Sequence, residues 1–286
     1  MLKTSPAADV WPTRVVFVLI DGLTDRVAQR MLGYMEGLIE AGIAVRGRVR
    51  SVLPSLSRPC YASIFSGTSP IVHGVVSNEQ TARLGMPSLF DLLSQTGRSS
   101  AVAGYHWMSE LFSRGPFDYV RDVEQDDNAD GITHGRFYFL DELPDAHLFA
   151  QAESLRLRHH PDFLVIHPMG CDLAGHKHGS DSREYAGAAA KIDFLLARLV
   201  PNWLASGYQV VVTADHGMDA QGFHGGPDEQ VRVTPLYMAS PRLVTSGQQD
   251  FVVEQPQLAH LLCGLLGLAK SPSMCAWEQR EQKILN

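Results

Sequence analysis

Three aspartates and three histidines stand near the ends of apolar runs in this chain. Asp21 and Gly22 close the run 15–20. Asp215, His216 and Gly217 close the run 209–214. Asp172 and His176 follow the run 162–167, inside Gly-Cys-Asp-Leu-Ala-Gly-His-Lys-His-Gly at 170–179, and His224 lies in a glycine-rich loop at 222–226. Carboxylate oxygen and imidazole nitrogen are the usual protein ligands of zinc and its neighbours. An isolated Asp-His pair more often marks a polar strand end than a metal site; the repetition after three separate runs shifts the reading. Six such groups are too many for one tetrahedral ion and suit two. Two ions close together suit in-line phosphoryl transfer, because attacking and leaving oxygens are both stabilised. Asp172 and His176 are four apart, so one helical turn would put them on one face. Gly175 and Gly179 point instead to a tight loop-like turn, which can also converge them. His178 is out of phase and reads as a surface or supporting residue.

A nucleophile is available in Pro-Ser-Leu-Ser-Arg-Pro-Cys-Tyr at 54–61. Pro59 suits the first turn of a helix and Gly67 its end, which places Ser57 at the cap. Capping alone accounts for a serine there, but the two roles are compatible: a helix N-terminus favours an alkoxide or a phosphoryl group through its dipole and free N–H groups.

The elements that must position these groups alternate along the chain. The runs 15–20, 46–50, 99–103, 162–167, 209–214 and 234–239 read as strands, and the fully apolar ones as strands buried on both faces. Helical patterns cover 24–41, 59–67, 87–96, 182–204 and 257–265. The segment 69–78 reads as a loop with a short extended piece. Alternation of this kind predicts an α/β fold with a mostly parallel central sheet and helices on both faces, as one domain over 1–286. Ligands of such sheets sit beyond the carboxyl ends of the strands, where the aspartates and histidines fall. Aromatic residues concentrate between 105 and 144, a stretch expected to form a small cap. The acidic segment 124–131 lacks the spacing of a calcium loop and reads as a solvated loop.

Composition narrows the classes. A net charge of -7 argues against a nucleic-acid polymer as partner, since phosphate backbones want a basic face. The four cysteines, Cys60, Cys171, Cys263 and Cys275, form no paired spacing, so neither a disulfide framework nor a cysteine zinc site is expected. The run 15–20 is too short for a signal peptide or a membrane span. A cytoplasmic protein without membrane contact, acting on a small phosphorylated substrate, is the resulting expectation.

From Asp21 to about Leu236 the residues resemble the alkaline phosphatase superfamily, in its nucleotide pyrophosphatase/phosphodiesterase-like branch. The resemblance rests on Asp21-Gly22, Ser57 before Ser66-Gly67, His73-Gly74 with Asn78 following, Asp172-x-x-Gly-His176-x-x-Gly179, Asp215-His-Gly-Met218 and His224. It implies one metal ion held by Asp172, His176 and His224, and another held by Asp21, Asp215, His216 and the Ser57 oxygen. Zinc is the first expectation, with manganese or iron as other occupants. It further implies Ser57 as the nucleophile of a phosphoenzyme and Asn78 as a hydrogen-bond donor to the phosphoryl group. The implied activity is that of a phosphodiesterase or nucleotide pyrophosphatase. Phosphomonoesterase, phosphonate hydrolase and phosphomutase activities are the alternatives within the superfamily, and a non-catalytic metal- and phosphate-binding protein is the alternative outside it. Two departures stand out. The branch usually has threonine where this chain has Ser57, and its last ligand histidine usually lies far downstream after an inserted lobe. Sulfatases carry arginine four residues past the nucleophile, where this chain has Tyr61. Arg58 is the one basic residue beside the nucleophile, and an inward-turned guanidinium there would favour monoesters.

Overall fold

The computed structural model describes residues 13–243 and 245–277. Along the chain run β1 (Arg14–Ile20), α1 (Asp25–Met31), α2 (Gly33–Glu40), β2 (Val45–Arg50), α3 (Ser57–Ser66), α4 (Pro70–His73), α5 (Leu89–Gln95), β3 (Ser100–Tyr105), α6 (His106–Phe112), β4 (Glu124–Gln125), β5 (His134–Tyr138), α7 (Asp145–His159), β6 (Phe163–Ile166), α8 (Gly170–His178), α9 (Arg183–Ala205), β7 (Tyr208–Ala214), α10 (Glu229–Arg232), β8 (Val233–Ala239), β9 (Gly247–Glu254) and α11 (Gln257–Leu266). The strands form one sheet in the order β4-β5-β3-β6-β1-β7-β8-β2-β9. β5, β3, β6, β1 and β7 run parallel; β8 is antiparallel to both β7 and β2, and β4 to β5. The α/β architecture with a mostly parallel sheet is therefore as the alternation of elements implies.

The pleat of β1 shows why its run is apolar throughout. Val15, Phe17 and Leu19 enter a core with Tyr61, Phe65, Phe90, Phe112 and Leu262, beneath α3, α5, α6 and α11. Val16, Val18 and Ile20 enter a second core with Leu148, Ile192, Leu196 and Trp203, beneath α7 and α9. Each face is covered by helices, so neither set of side chains can be polar.

Several local features differ from the sequence reading. The helix expected over 24–41 is two helices broken at Leu32, whose φ of -89° and ψ of 60° leave the helical region. The carboxylate of Asp193 on α9 accepts hydrogen bonds from the Tyr34 and Met35 N–H groups, so a distant side chain caps the second helix. The segment 69–78 contains the short helix α4 rather than an extended piece. Strands β5 and β9 carry too few apolar residues in period to be read from the sequence; helix α7, which buries Leu148, Phe149, Ala152 and Leu155, was not identified either. Within the stretch 105–144, β4 and β5 continue the central sheet at its edge, and Tyr105, Phe112, Phe137 and Tyr138 are buried. Among the described residues, no helix is long and apolar enough to cross a membrane.

Candidate metal centre

Parallel register brings the strand ends together. Ile20 pairs with Ala214 across β1 and β7, so Asp21 and Asp215 emerge side by side. Val18 pairs with Ile166 across β1 and β6, which delivers His167 one residue later to the same edge. Gly22 has φ of 69°, and a Cβ there would lie 2.8 Å from Asp172 Oδ1. Only glycine allows this turn and this approach, which lets α8 bring Asp172 against the end of β1. α8 is a helix and not the loop-like turn expected, and it sets Asp172 and His176 one turn apart on one face, with His176 Nε2 3.3 Å from Asp172 Oδ2.

Ser57 is likewise placed differently from expectation. Leu56 is the N-cap of α3, and Ser57 is the first helical residue, with no side-chain capping bond at this helix. The Ser57 hydroxyl instead lies 3.1 Å from His216 Nε2. Asp21 Oδ1 and Asp215 Oδ2 each lie 3.4 Å from the same nitrogen. The second group gathers around Asp172: His224 Nε2 is 3.7 Å from its Oδ1 and 3.2 Å from His176 Nε2. The two groups adjoin, since the rings of His216 and His224 stack at 3.8 Å. All seven residues assigned as ligands by sequence thus converge at one edge of the sheet.

Three observations bear on whether cations fit. Asp21 Oδ1, Asp172 Oδ1 and Asp215 Oδ2 are buried oxygens without a hydrogen-bond partner among the described residues. Unpaired buried carboxylate oxygens are costly unless a cation satisfies them. Second, each of the three histidines faces a backbone carbonyl with Nδ1: His176 with Gly222 at 2.8 Å, His216 with Gly217 at 2.9 Å and His224 with Ser55 at 3.0 Å. Donation from Nδ1 fixes the tautomer that leaves the Nε2 lone pair free, the arrangement typical of histidines that hold metal. Gly222, with φ of 86°, allows one of these contacts: a Cβ there would lie within 3 Å of the Gly175 and His176 carbonyl oxygens. Third, the protonation balance is that of a site made for positive charge. Burial, and then the charge of Asp21, pushes Asp172 and Asp215 above the ordinary carboxylate range. For Asp21 burial acts in the same direction, but the hydrogen bond from His167 and the charge of His216 outweigh it and hold the carboxyl below its usual value. Burial lowers His224 to about 4, which keeps its Nε2 unprotonated, whereas the hydrogen bond with Asp172 raises His176 to about 9, so His176 must release its Nε2 proton to ligate a cation. The Asp and His groups present can hold divalent ions.

Two supporting residues were not identified from sequence. Tyr61 donates its hydroxyl hydrogen to Asp21 Oδ2 at 2.6 Å, and His167 Nε2 lies 2.8 Å from that hydroxyl and 3.1 Å from the same carboxylate oxygen. Tyr61 follows Ser57 by four residues on α3, so both point the same way. A histidine directly after an apolar strand, as at Asp215-His216, was the available signal for His167.

The remaining candidates divide. Asn78 Oδ1 accepts the Arg58 N–H at 3.0 Å, leaving its amide NH2 without a partner among the described residues. With that N–H taken and Pro59 lacking one, the start of α3 offers fewer free donors than expected. Arg58 does not reach the centre. It is buried, paired with Glu110 at 2.5 Å, bonded to the Gln80 carbonyl, and stacked over Trp107 with its guanidinium carbon 4.8 Å from the ring centroid. His73 bonds Ser63 and the Val75 N–H, pinning the loop that leads to Asn78. His178 is exposed at the end of α8.

Comparison with known proteins agrees with this geometry. Residues 15–229 match the family described as type I phosphodiesterase / nucleotide pyrophosphatase. The catalytic subunit of human GPI ethanolamine phosphate transferase 3 is 27% identical over 285 residues, covering 90% of this chain and 24% of that protein. GPI ethanolamine phosphate transferase 2 of Aspergillus fumigatus is 25% identical over 289 residues, covering 89% and 35%. The chain thus spans about a quarter to a third of these relatives' length. Among solved structures, murine ectonucleotide pyrophosphatase/phosphodiesterase 5 superposes with a TM-score of 0.73 at 12% identity, covering 96% of this chain and 100% of that one. BT1596, a 2-O GAG sulfatase, gives 0.68 at 17% identity, covering 95% and 74%. The last two share the fold. With the match running from β1 to α10, this chain belongs to the type I phosphodiesterase / nucleotide pyrophosphatase family.

Proposed function

We propose that the chain cleaves a phosphodiester-type substrate through a covalent phosphoenzyme on Ser57, at a centre that holds two divalent ions. The observation that carries this is the ring of unpartnered carboxylate oxygens and tautomer-fixed imidazoles around one hydroxyl. Asp21, Asp215, His216 and Ser57 would hold one ion, and Asp172, His176 and His224 the other. Zinc suits this donor set first, and manganese or iron are the other occupants. The ions would lower the pKa of the serine hydroxyl and neutralise charge on the phosphoryl oxygens.

The chain's own residues do the rest. The Ser57 Oγ–P bond forms as the bond from phosphorus to the leaving oxygen breaks, and a second oxygen nucleophile then releases Ser57. Asn78, with its carbonyl tied to the Arg58 N–H, presents its NH2 group as a neutral donor to a phosphoryl oxygen. Tyr61 and His167 orient Asp21. Arg58 is committed to Glu110 and Trp107, so its guanidinium adds no positive charge there, and a singly charged diester suits the site better than a monoester dianion. The expected partner is a small phosphorylated molecule rather than a nucleic-acid polymer.

The relatives' names favour a second reading for the second nucleophile. They are phosphate transferases, so an alcohol acceptor in place of water would give transfer instead of hydrolysis. One experiment tests both. Purified protein, metal content measured, is given an aryl phosphodiester with and without a small alcohol. Aryl alcohol release supports cleavage, an alkyl phosphodiester product supports transfer, and release by metal-free protein at the full rate overturns the proposal.

A further inference from the structure

A second cluster of ligand-type side chains lies away from the centre described above. Asp126 follows β4, His134 opens β5 and His159 ends α7. One potential ligand atom from each lies within 4.8 Å of the others. His134 Nδ1 is 3.2 Å and His159 Nε2 is 3.6 Å from Asp126 Oδ1. The two rings stack at 3.8 Å with 22° between planes, so both imidazoles address one carboxylate oxygen from adjacent levels.

We propose that Asp126, His134 and His159 form a divalent transition-metal site that fastens the β4–β5 edge of the sheet to the end of α7. Ligands about 2.0–2.2 Å from a tetrahedral ion are about 3.3 Å from one another, close to both measured separations. One carboxylate and two imidazoles are a donor set that zinc, nickel and copper accept, with water completing the shell. His159 is the last residue of a fifteen-residue helix, where the free carbonyls favour a cation.

The site is separate from the catalytic edge. β5 runs parallel to β3, and His134 pairs with Ala101 at the amino end of both strands. The candidate catalytic groups lie beyond the carboxyl ends, so His134 is displaced from that edge by the length of β5, roughly 13 Å at the usual strand rise. A structural role follows. β4 pairs only two residues with β5, and an ion would tie this short outer strand to a helix of the next layer.

Arg136 sets the affinity. Its guanidinium bonds Asp126 Oδ2 at 2.9 Å and Oδ1 at 3.2 Å. A carboxylate oxygen has a second lone pair, so Oδ1 can accept Arg136 and still ligate. The positive charge nonetheless opposes a dication, and Glu124, 3.8 Å from Arg136 Nε, offsets it only in part.

The test compares wild type, His159→Gln and Arg136→Gln by elemental analysis and by thermal melting on addition of nickel or zinc chloride. Wild type should hold one more ion per chain than His159→Gln, and its melting temperature should rise with metal while that of His159→Gln rises less. Arg136→Gln should bind several-fold more tightly. Turnover of a phosphodiester reports that the catalytic centre is unchanged in both variants, and circular dichroism that both fold. Equal metal content and equal melting response in wild type and His159→Gln would overturn the proposal, leaving the cluster as an Arg–Asp ion pair flanked by histidines.

Discussion

Replacing Ser57 by alanine separates a nucleophile from a structural serine. Three magnitudes follow from its surroundings. Leu56, not Ser57, is the N-cap, and the Ser57 side chain makes no capping bond. The usual loss of about 1 kcal/mol for deleting a capping side chain therefore does not apply. At the first helical position alanine is intrinsically better than serine by up to about 0.5 kcal/mol, which offsets part of the roughly 1 kcal/mol of the lost Ser57–His216 hydrogen bond, so stability should change by less than about 1 kcal/mol. Ion content should also persist. Asp21, Asp215 and His216 remain, and His216 keeps its Gly217 contact. Turnover should fall by about 10⁴-fold or more, the scale on which loss of a covalent nucleophile is felt in other hydrolases. The assay is release of aryl alcohol from an aryl phosphodiester, alongside chemical denaturation and elemental analysis. Acid quenching with radiolabelled substrate should trap phosphorus on the wild-type chain and none on Ser57→Ala. Near-normal turnover in a folded, metal-loaded Ser57→Ala protein would refute the assignment of Ser57 as nucleophile.

Three further outcomes are expected. Tyr61→Phe removes a hydroxyl that donates to a buried carboxylate, so stability should fall by about 1.5–3 kcal/mol and metal affinity by about 10–100-fold, measured by denaturation and chelator competition. Arg58→Ala leaves Glu110 buried without its partner and should cost about 3–5 kcal/mol in denaturation, while the ratio of diester to monoester specificity constants stays unchanged; a ratio that shifts toward diesters would place the guanidinium in the site after all. Asp145 accepts the Gly170 N–H, and burial raises its carboxyl to about 6 from an unfolded value of 3.8. The native state then binds the proton more tightly than the unfolded chain, so this group favours folding at low pH and penalises it as pH rises through this window. Between pH 4.5 and 8 wild type should lose about 2 kcal/mol relative to Asp145→Asn, and parallel denaturation profiles of the two proteins would contradict this.

Much of the fold was legible in the sequence, and so was the meeting of the candidate ligands at one edge of the sheet. Buried parallel strands must be apolar throughout, so β1, β6 and β7 announced themselves, and a carboxylate or imidazole directly after such a run had to lie at the carboxyl edge of the sheet. That is why Asp21, Asp215 and His216 could be named before any geometry was known. The four-residue spacing of Asp172 and His176 was equally legible, although glycines that read as a loop proved compatible with helix α8.

Tertiary structure decided what depends on groups distant in the chain. Whether Arg58 faces the candidate centre or the interior rests on Glu110, Gln80 and Trp107, which local sequence cannot rank. The supporting roles of Tyr61 and His167 arise because packing brings a side chain of α3 and the residue after β6 against Asp21 at the end of β1, a tertiary contact and not a motif. The same holds for Asp126, His134 and His159, which come from a turn, a polar edge strand and a helix end. Periodicity records which residues avoid water. The orientation of a polar side chain is set by partners brought close only when the layers pack.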